Sequence, residues 1–440
     1  MLSILGFSMV AVFMYLIMSK RLSALVAIMI VPIIFGIIGG FLTDLGPMMA
    51  AGVEKVSMTA IMILFAILYF GIMIDTGLFD PLIAKILQVV KGDPLKIVVG
   101  TAVLSMMVAL DGDGTTTYII TVSSLLPLYK RLGMNRLVLA TVAMLSMGVM
   151  NMTPWGGASA MAMASLGLDS SELFIPMIPV MGIGLVWVIV AALMLGKMER
   201  KRLGVIELEP IQKSGGSQFD ANPELAATTE VPHYKRPKLV WFNLGLTILL
   251  MVCLILDFMS LAILFMIAFA IALLVNYPDL KLQQERIAVH SKNALAVVSI
   301  VIAAGIFTGI MSGTEMIDAM AKTLVAIIPD ALGPYLTVIV AFLSAPFTFF
   351  MSNNAFYFGV LPIISQAAEA YGVSAVEIGR ASLIGQPIHV LSPLVAAAHL
   401  LIGLVETEFG DLQRFALKWA FGTVVVMTVG ALVLGVITIG

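Results

Sequence analysis

Asp113-Gly114-Thr115-Thr116-Thr117-Tyr118 returns, 239 positions later, as Ser352-Asn353-Asn354-Ala355-Phe356-Tyr357. Working outward, Gly133 and Thr153-Pro154 find counterparts at the same offset in Gly372 and Ser392-Pro393. Further upstream, Gly71-Ile72-Met73 and Asp80 match Gly309-Ile310-Met311 and Asp318 at an offset of 238. The two halves of the chain therefore carry the same polar interruptions of apolar sequence in matching places. Polar breaks repeated in two halves of a membrane protein point to the binding site of an alternating-access carrier.

Composition agrees. Hydrophobic residues make up 60% and charged residues 11%, with a mean hydropathy of +1.08. So few charges cannot cover a soluble surface of this size, which implies a polytopic membrane protein. The net charge of -2 gives nucleic acid no reason to bind. Cys253, the lone cysteine, excludes an internal disulfide and a cysteine metal cluster. The apolar run Leu2 to Met18 has no basic residue before it and Lys20-Arg21 after it, the reverse of a cleavable signal, so it reads as a retained span.

Apolar runs able to cross a bilayer lie near 2–19, 22–43, 56–76, 137–166 and 173–196, and again near 239–257, 259–276, 294–313, 376–404 and 415–440. Between the third and fourth runs of each set sit two shorter pieces, 95–110 with 115–129 and 335–350 with 355–371. At about 1.5 Å per residue such pieces are too short to cross, and they read as re-entrant hairpins. The expected fold is all-α, with two inverted repeats of five transmembrane spans plus one re-entrant hairpin each, and one broken span per repeat. Residues 1–196 form the first repeat (hairpin 95–129, broken span 137–166) and 239–440 the second (hairpin 335–371, broken span 376–404). With Lys20-Arg21 cytoplasmic, 21 of the 24 basic residues fall inside, leaving Lys55, Lys322 and Arg380. An odd number of crossings in the first half then inverts the second. Residues 197–238, polar and flanked by Lys and Arg, read as a flexible cytoplasmic linker anchored at the anionic leaflet.

At the first tip, Asp111-Gly112-Asp113-Gly114-Thr115-Thr116-Thr117 interrupts the apolar sequence. The glycines permit reversal, and the returning helix offers its free N–H groups and positive dipole end to an anion. Carboxylates at membrane depth are costly. Asp113 either caps the helix only, or it joins Asp111 in binding a coupling proton or hard cation. The second tip, Ser352-Asn353-Asn354, supplies hydroxyl and amide groups that donate to a carboxylate or accept from a cation's shell; the alternative is an ordinary capped turn. The breaks are Asn151-Met152-Thr153-Pro154-Trp155-Gly156-Gly157 and Gln386-Pro387-Ile388-His389-Val390-Leu391-Ser392-Pro393. Proline frees backbone carbonyls, which a bilayer tolerates only against protein or a water-filled site. Plain proline kinks compete with a pair of half-sites. Arg380 either attracts an anion or snorkels to headgroups, and Trp155 either shapes the pocket or packs. A paired His-Glu zinc motif, a Gly-x-Ser-x-Gly elbow and an intramembrane Ser/His/Asp set in register are all missing, which argues against an enzyme; a passive pore would use similar breaks.

Taken together, Asp111-Gly-Asp-Gly-Thr-Thr-Thr-Tyr-Ile, Asn151-Met-Thr-Pro-Trp-Gly-Gly, Ser352-Asn-Asn-Ala-Phe-Tyr-Phe-Gly and Gln386-Pro-Ile-His-Val-Leu-Ser-Pro resemble the CitMHS citrate–divalent metal:proton symporters of the ion transporter superfamily. The resemblance covers nearly the whole chain. It implies proton-driven symport of citrate complexed with a divalent cation of the Mg²⁺ or Ca²⁺ class across a bacterial cytoplasmic membrane, with no permanently bound cofactor. It also implies a scaffold that dimerises and an elevator-like transport part of hairpins and broken spans. Carried onto this chain, it places Asp111, Asp113, Thr115, Thr116 and Thr117 at the substrate or coupling ion, with the two aspartates available to the metal. Ser352, Asn353 and Asn354 lie opposite, and the breaks contribute Asn151, Thr153, Gly156, Gly157, Gln386, His389 and Ser392. The family pattern after Trp-Gly-Gly usually runs Pro-Thr-Ala-Arg, whereas here it is Ala158-Ser159-Ala160-Met161. That departure removes a positive charge and leaves room for a smaller or less charged organic anion; the rival reading is a sodium- or proton-coupled carrier of another di- or tricarboxylate or organic anion.

Overall fold

A computed structural model of the chain describes residues 2–90, 92–204, 233–256 and 259–439. The described residues are helical throughout, without a strand. The first half contains α1 (Leu2–Met18), α2 (Ala24–Ile38), α3 (Leu45–Asp75), α4 (Asp80–Val90), α5 (Pro94–Val108), α6 (Gly114–Arg131), α7 (Arg136–Met150), α8 (Gly157–Leu166), α9 (Ser170–Phe174) and α10 (Met177–Leu203). The second contains α11 (Val240–Leu256), α12 (Leu261–Asn276), α13 (Leu280–Gly313), α14 (Met316–Ile327), α15 (Leu336–Phe350), α16 (Leu361–Glu369), α17 (Ala375–Leu383), α18 (Gln386–His389), α19 (Ala396–Val405) and α20 (Phe409–Val433). Seven described helical segments are long and apolar enough to cross a membrane, and shorter apolar helices accompany them.

Several bounds differ from the sequence reading. α3 starts at Leu45, about three turns earlier than the apolar run, and α13 starts at Leu280 with a polar first third. Length explains α13: 34 residues rise about 51 Å, well beyond a hydrocarbon core of about 30 Å, so its Lys281 to Lys292 stretch needs no apolar character. α4 and α14 are additional amphipathic helices in corresponding places. α10 continues to Leu203, so the expected linker begins as helix; residues 205–232 lie outside the described part.

Helix packing divides the molecule into two groups. α3 and α13 lie against each other, flanked by α12 and α2. Their contact depends on glycine: a Cβ on Gly52 would run into the Gly305 carbonyl, and one on Gly309 into that of Met48. The other group packs α5 with α7 and α10, α10 with α20, and α15 with α17 and α18. α8 bridges the two by touching both α3 and α13.

Candidate functional site

Both hairpins turn inside the protein. In the first, α5 tightens through Ala109–Asp111, reverses at Gly112 in the left-handed region (φ 77°), and re-enters as α6 behind Asp113. A side chain is disfavoured at that φ, which is why glycine stands there. Asp113 is the N-cap: Oδ1 accepts from Thr115 N at 3.1 Å, and Oδ2 from Thr116 N at 3.0 Å and Thr116 Oγ1 at 2.7 Å. Asp111, 7% exposed, accepts from Asp113 N through Oδ1 at 2.8 Å, and its Oδ2 has no bonded partner among the described residues. In the second hairpin α15 ends at an extended Met351, and the chain returns through a wide π-type turn, Ala355–Val360. Such turns expose backbone groups and recur at functional sites.

The breaks are bonded to the hairpins. Asn151 donates to Gln386 Oε1 at 2.9 Å, Gln386 donates to Tyr357 OH at 3.1 Å, and Tyr357 donates to Ser382 O at 3.3 Å. His389 gives its Nδ1 proton to Thr348 O at 2.8 Å, and Ser392 Oγ donates to Phe349 O at 2.6 Å. Trp155 donates from Nε1 to Leu110 O at 2.7 Å, while its ring lies 5.3 Å from Phe70 and 5.0 Å from Phe265. It therefore pins the first tip and leans on the α3/α12 wall.

Where these parts meet α3 and α13 there is a cavity of about 300 Å³. Of the residues singled out in the sequence, Asp111, Asp113, Thr116, Asn151, Trp155, Gly157, Asn353 and His389 line it. The others sit beside it. Thr115 is exposed, Thr117 Oγ1 donates to Asp113 O, and Ser352 Oγ accepts from Ala355 N. Gly156 packs so tightly on the Asn151 carbonyl that a Cβ would not fit. Gln386 and Ser392 are spent on the bonds above. Thr153, buried, and Asn354, half-buried, are not part of the cavity lining, and each has a buried side-chain oxygen without a partner among the described residues. Asn353 Oδ1 is likewise buried and unpartnered, at a tip that lines the cavity. A buried acceptor without a donor is costly unless a ligand supplies one.

Charge in the cavity is unusual. Its described lining holds two carboxylates and two histidines but no lysine or arginine. Positive potential comes instead from helix starts: α6 begins at Gly114, α8 at Gly157 without a side-chain cap, and α19 follows an uncapped Val395. Met161, where the family pattern has arginine, packs against the apolar core and does not line the cavity. Arg380 does not line it. Its guanidinium donates to Glu172 O at 2.7 Å and Val436 O at 3.2 Å.

Two polar lining residues escaped sequence reasoning, His290 and Asn293 on α13. His290 Nε2 lies 2.7 Å from Asp75 Oδ2, and Arg286 Nη1 lies 3.4 Å from the same oxygen. The available signal was a His and an Asn three apart, on one face of a helix that turns apolar one step later. Among the described residues no group of three or more His, Cys, Asp or Glu side chains stands ready to hold a metal.

An all-helical membrane protein with a polar cavity between two hairpin tips and two broken helices is a membrane transporter by class, and not an enzyme. A family model described as CitMHS, citrate transporter, matches residues 13–385, and the chain belongs to that family. Among Bacillus subtilis (strain 168) proteins it is 63% identical over 438 residues to a "Citrate transporter" and 57% identical over 440 to a "Mg(2+)/citrate complex secondary transporter". Each alignment covers 100% of both chains. The crystal structure of the Alcanivorax borkumensis YdaH transporter shares the fold at a TM-score of 0.54 and 14% identity, over 90% of this chain and 89% of that one.

Proposed function

We propose that this protein is a secondary active transporter that imports citrate complexed with a divalent cation, driven by protons, across a bacterial cytoplasmic membrane. One observation carries the choice of a metal complex over a bare anion: the described lining of the cavity offers two carboxylates and no lysine or arginine. Free citrate would meet Asp111 and Asp113 as like charges, whereas a chelated cation turns those carboxylates into attractive partners. Chelation also cancels two of citrate's negative charges, and the helix N-termini receive the carboxylates that remain. Mg²⁺ and Ca²⁺ take oxygen ligands, which citrate, Asp111 and the free Asn353 oxygen supply. The metal is cargo here, so a preformed three-ligand protein cage is not required.

In this reading residues 1–196 and 239–440 are inverted repeats joined by a cytoplasmic linker. α3 and α13 belong to a scaffold that pairs with a second copy, and the hairpins and broken helices travel as one body. The bonds from Asn151 to Gln386 and from His389 and Ser392 to α15 support that unity. The relatives' names support the cargo. The test is labelled citrate uptake into proteoliposomes with an inward proton gradient, scanning Mg²⁺, Ca²⁺, other divalent cations and chelator. Uptake that needs both a divalent cation and the gradient is the expected result. Uptake without metal, or uptake that is lost when choline replaces sodium, would overturn the coupling.

A further inference from the structure

The cavity has two kinds of wall. Hairpin tips and breaks supply most of it, while Ile67, Gly71 and Ile74 of α3 and His290, Asn293 and Val297 of α13 supply the rest. Gly71, His290 and Asn293 stand toward the end of the molecule where the chain comes out of the linker: α3 ends at Asp75, and Arg236 N donates to the next carbonyl, Thr76 O, at 3.0 Å. The opposite ends of the same two helices line a separate cleft of about 500 Å³ through Lys55, Thr308 and Ser312. From His290 to Thr308 is 18 residues, about 27 Å along the helix axis.

His290 is held for a purpose beyond packing. Its ring packs against Gly71, where a Cβ would collide with it, so the glycine makes room for the imidazole. Asp75 accepts the Nε2 proton and is itself steadied by Arg286, which is 6% exposed and also bonded to Glu285. A carboxylate that holds one ring nitrogen fixes the imidazole's orientation and dictates what the other can do. Nδ1 has no bonded partner among the described residues, and neither has the Asn293 amide. A metal-citrate complex has hydroxyl, carboxylate and metal-held water to offer both groups.

We propose that His290 and Asn293, with Asp75 as the positioning residue, form a one-sided contact for the metal–citrate complex. The complex meets them only when its site faces the linker side, and leaves them behind when the travelling body carries it toward the Lys55 cleft. This inference rests on the transport reading above.

Substrate dependence is measured separately from each side, in proteoliposomes of known orientation with magnesium citrate. His290→Ala raises KM from the linker side about tenfold, the scale of one hydrogen bond to a charged group, and leaves KM from the opposite side within about twofold. Asn293→Ala does the same and leaves the Asp75–His290 pair intact, so a folding defect in the histidine variant does not end the test. Asp75→Asn follows in the same direction. The equilibrium accumulation ratio stays unchanged in all three, because a binding contact alters rates and not the coupling equilibrium. Equal KM changes on both sides, or none on either, overturn the one-sided contact while the transport reading stands. If the unaltered protein moves no metal citrate from either side, the transport reading fails and takes this inference with it.

Discussion

Asp111 and Asp113 are neighbours with different duties. Both oxygens of Asp113 are used in starting α6, whereas Asp111 keeps one free beside the cavity. Asp111→Asn is expected to reduce coupled uptake to background with little change in thermal unfolding. Asp113→Ala is expected to cost about 1 kcal/mol of stability through the lost cap, read as a lower midpoint in detergent, before any effect on transport. Equal thermal losses in the two variants would contradict this division. The tips and breaks were legible because each interrupts an apolar run and has a counterpart tip or break in the other half. His290 and Asn293 were not, because they precede the apolar run on a helix whose polar start looks like a loop.

Elements are decided by how closely two backbones approach. At the α3–α13 crossing the obstacle to a Gly52 side chain is a carbonyl oxygen, which cannot rotate away. Gly52→Ala is expected to cost about 1–3 kcal/mol by overpacking, seen as early unfolding; an unchanged midpoint would mean that the helices separate easily there. Elsewhere the ends of elements are tied by exposed charge. Glu406, after α19, meets Lys130 and Arg136 at 2.7 Å each, and the Lys130 bond first, then the cations' fields, hold its carboxyl below the usual range. A lowered folded pKa stabilises above the ordinary glutamate range and is lost as pH falls through it. Wild type is therefore expected to exceed Glu406→Gln slightly at neutral pH and to match it in strong acid, in parallel melting curves. Hairpins and breaks were readable from proline, glycine and length. α4 and α14 were hidden because their charges made amphipathic helices resemble connecting loops.

For the whole molecule, the cavity opens among residues of the linker side while the Lys55 cleft lies at the far ends of the same two helices. With Cys253 replaced by Ser, Asn293→Cys is expected to react with an impermeant thiol reagent from the linker side and to be protected by magnesium citrate. Ser312→Cys is expected to react from the other side; labelling of both from one side would contradict alternating access. Membrane class followed from composition, and the halves' orientation was argued from basic residues, but neither could locate a cavity, since a cavity depends on which helix ends converge in space.

The far cleft has a practical meaning. Lys55 rests against Gly167, at the C-terminal end of α8, and the other end of α8 opens onto the cavity beside Asp111. One ten-residue rod thus joins cargo and remote cleft. A compound lodged beside Lys55 is therefore expected to slow uptake by holding α8 in place from the side opposite the linker, whether or not it resembles the cargo.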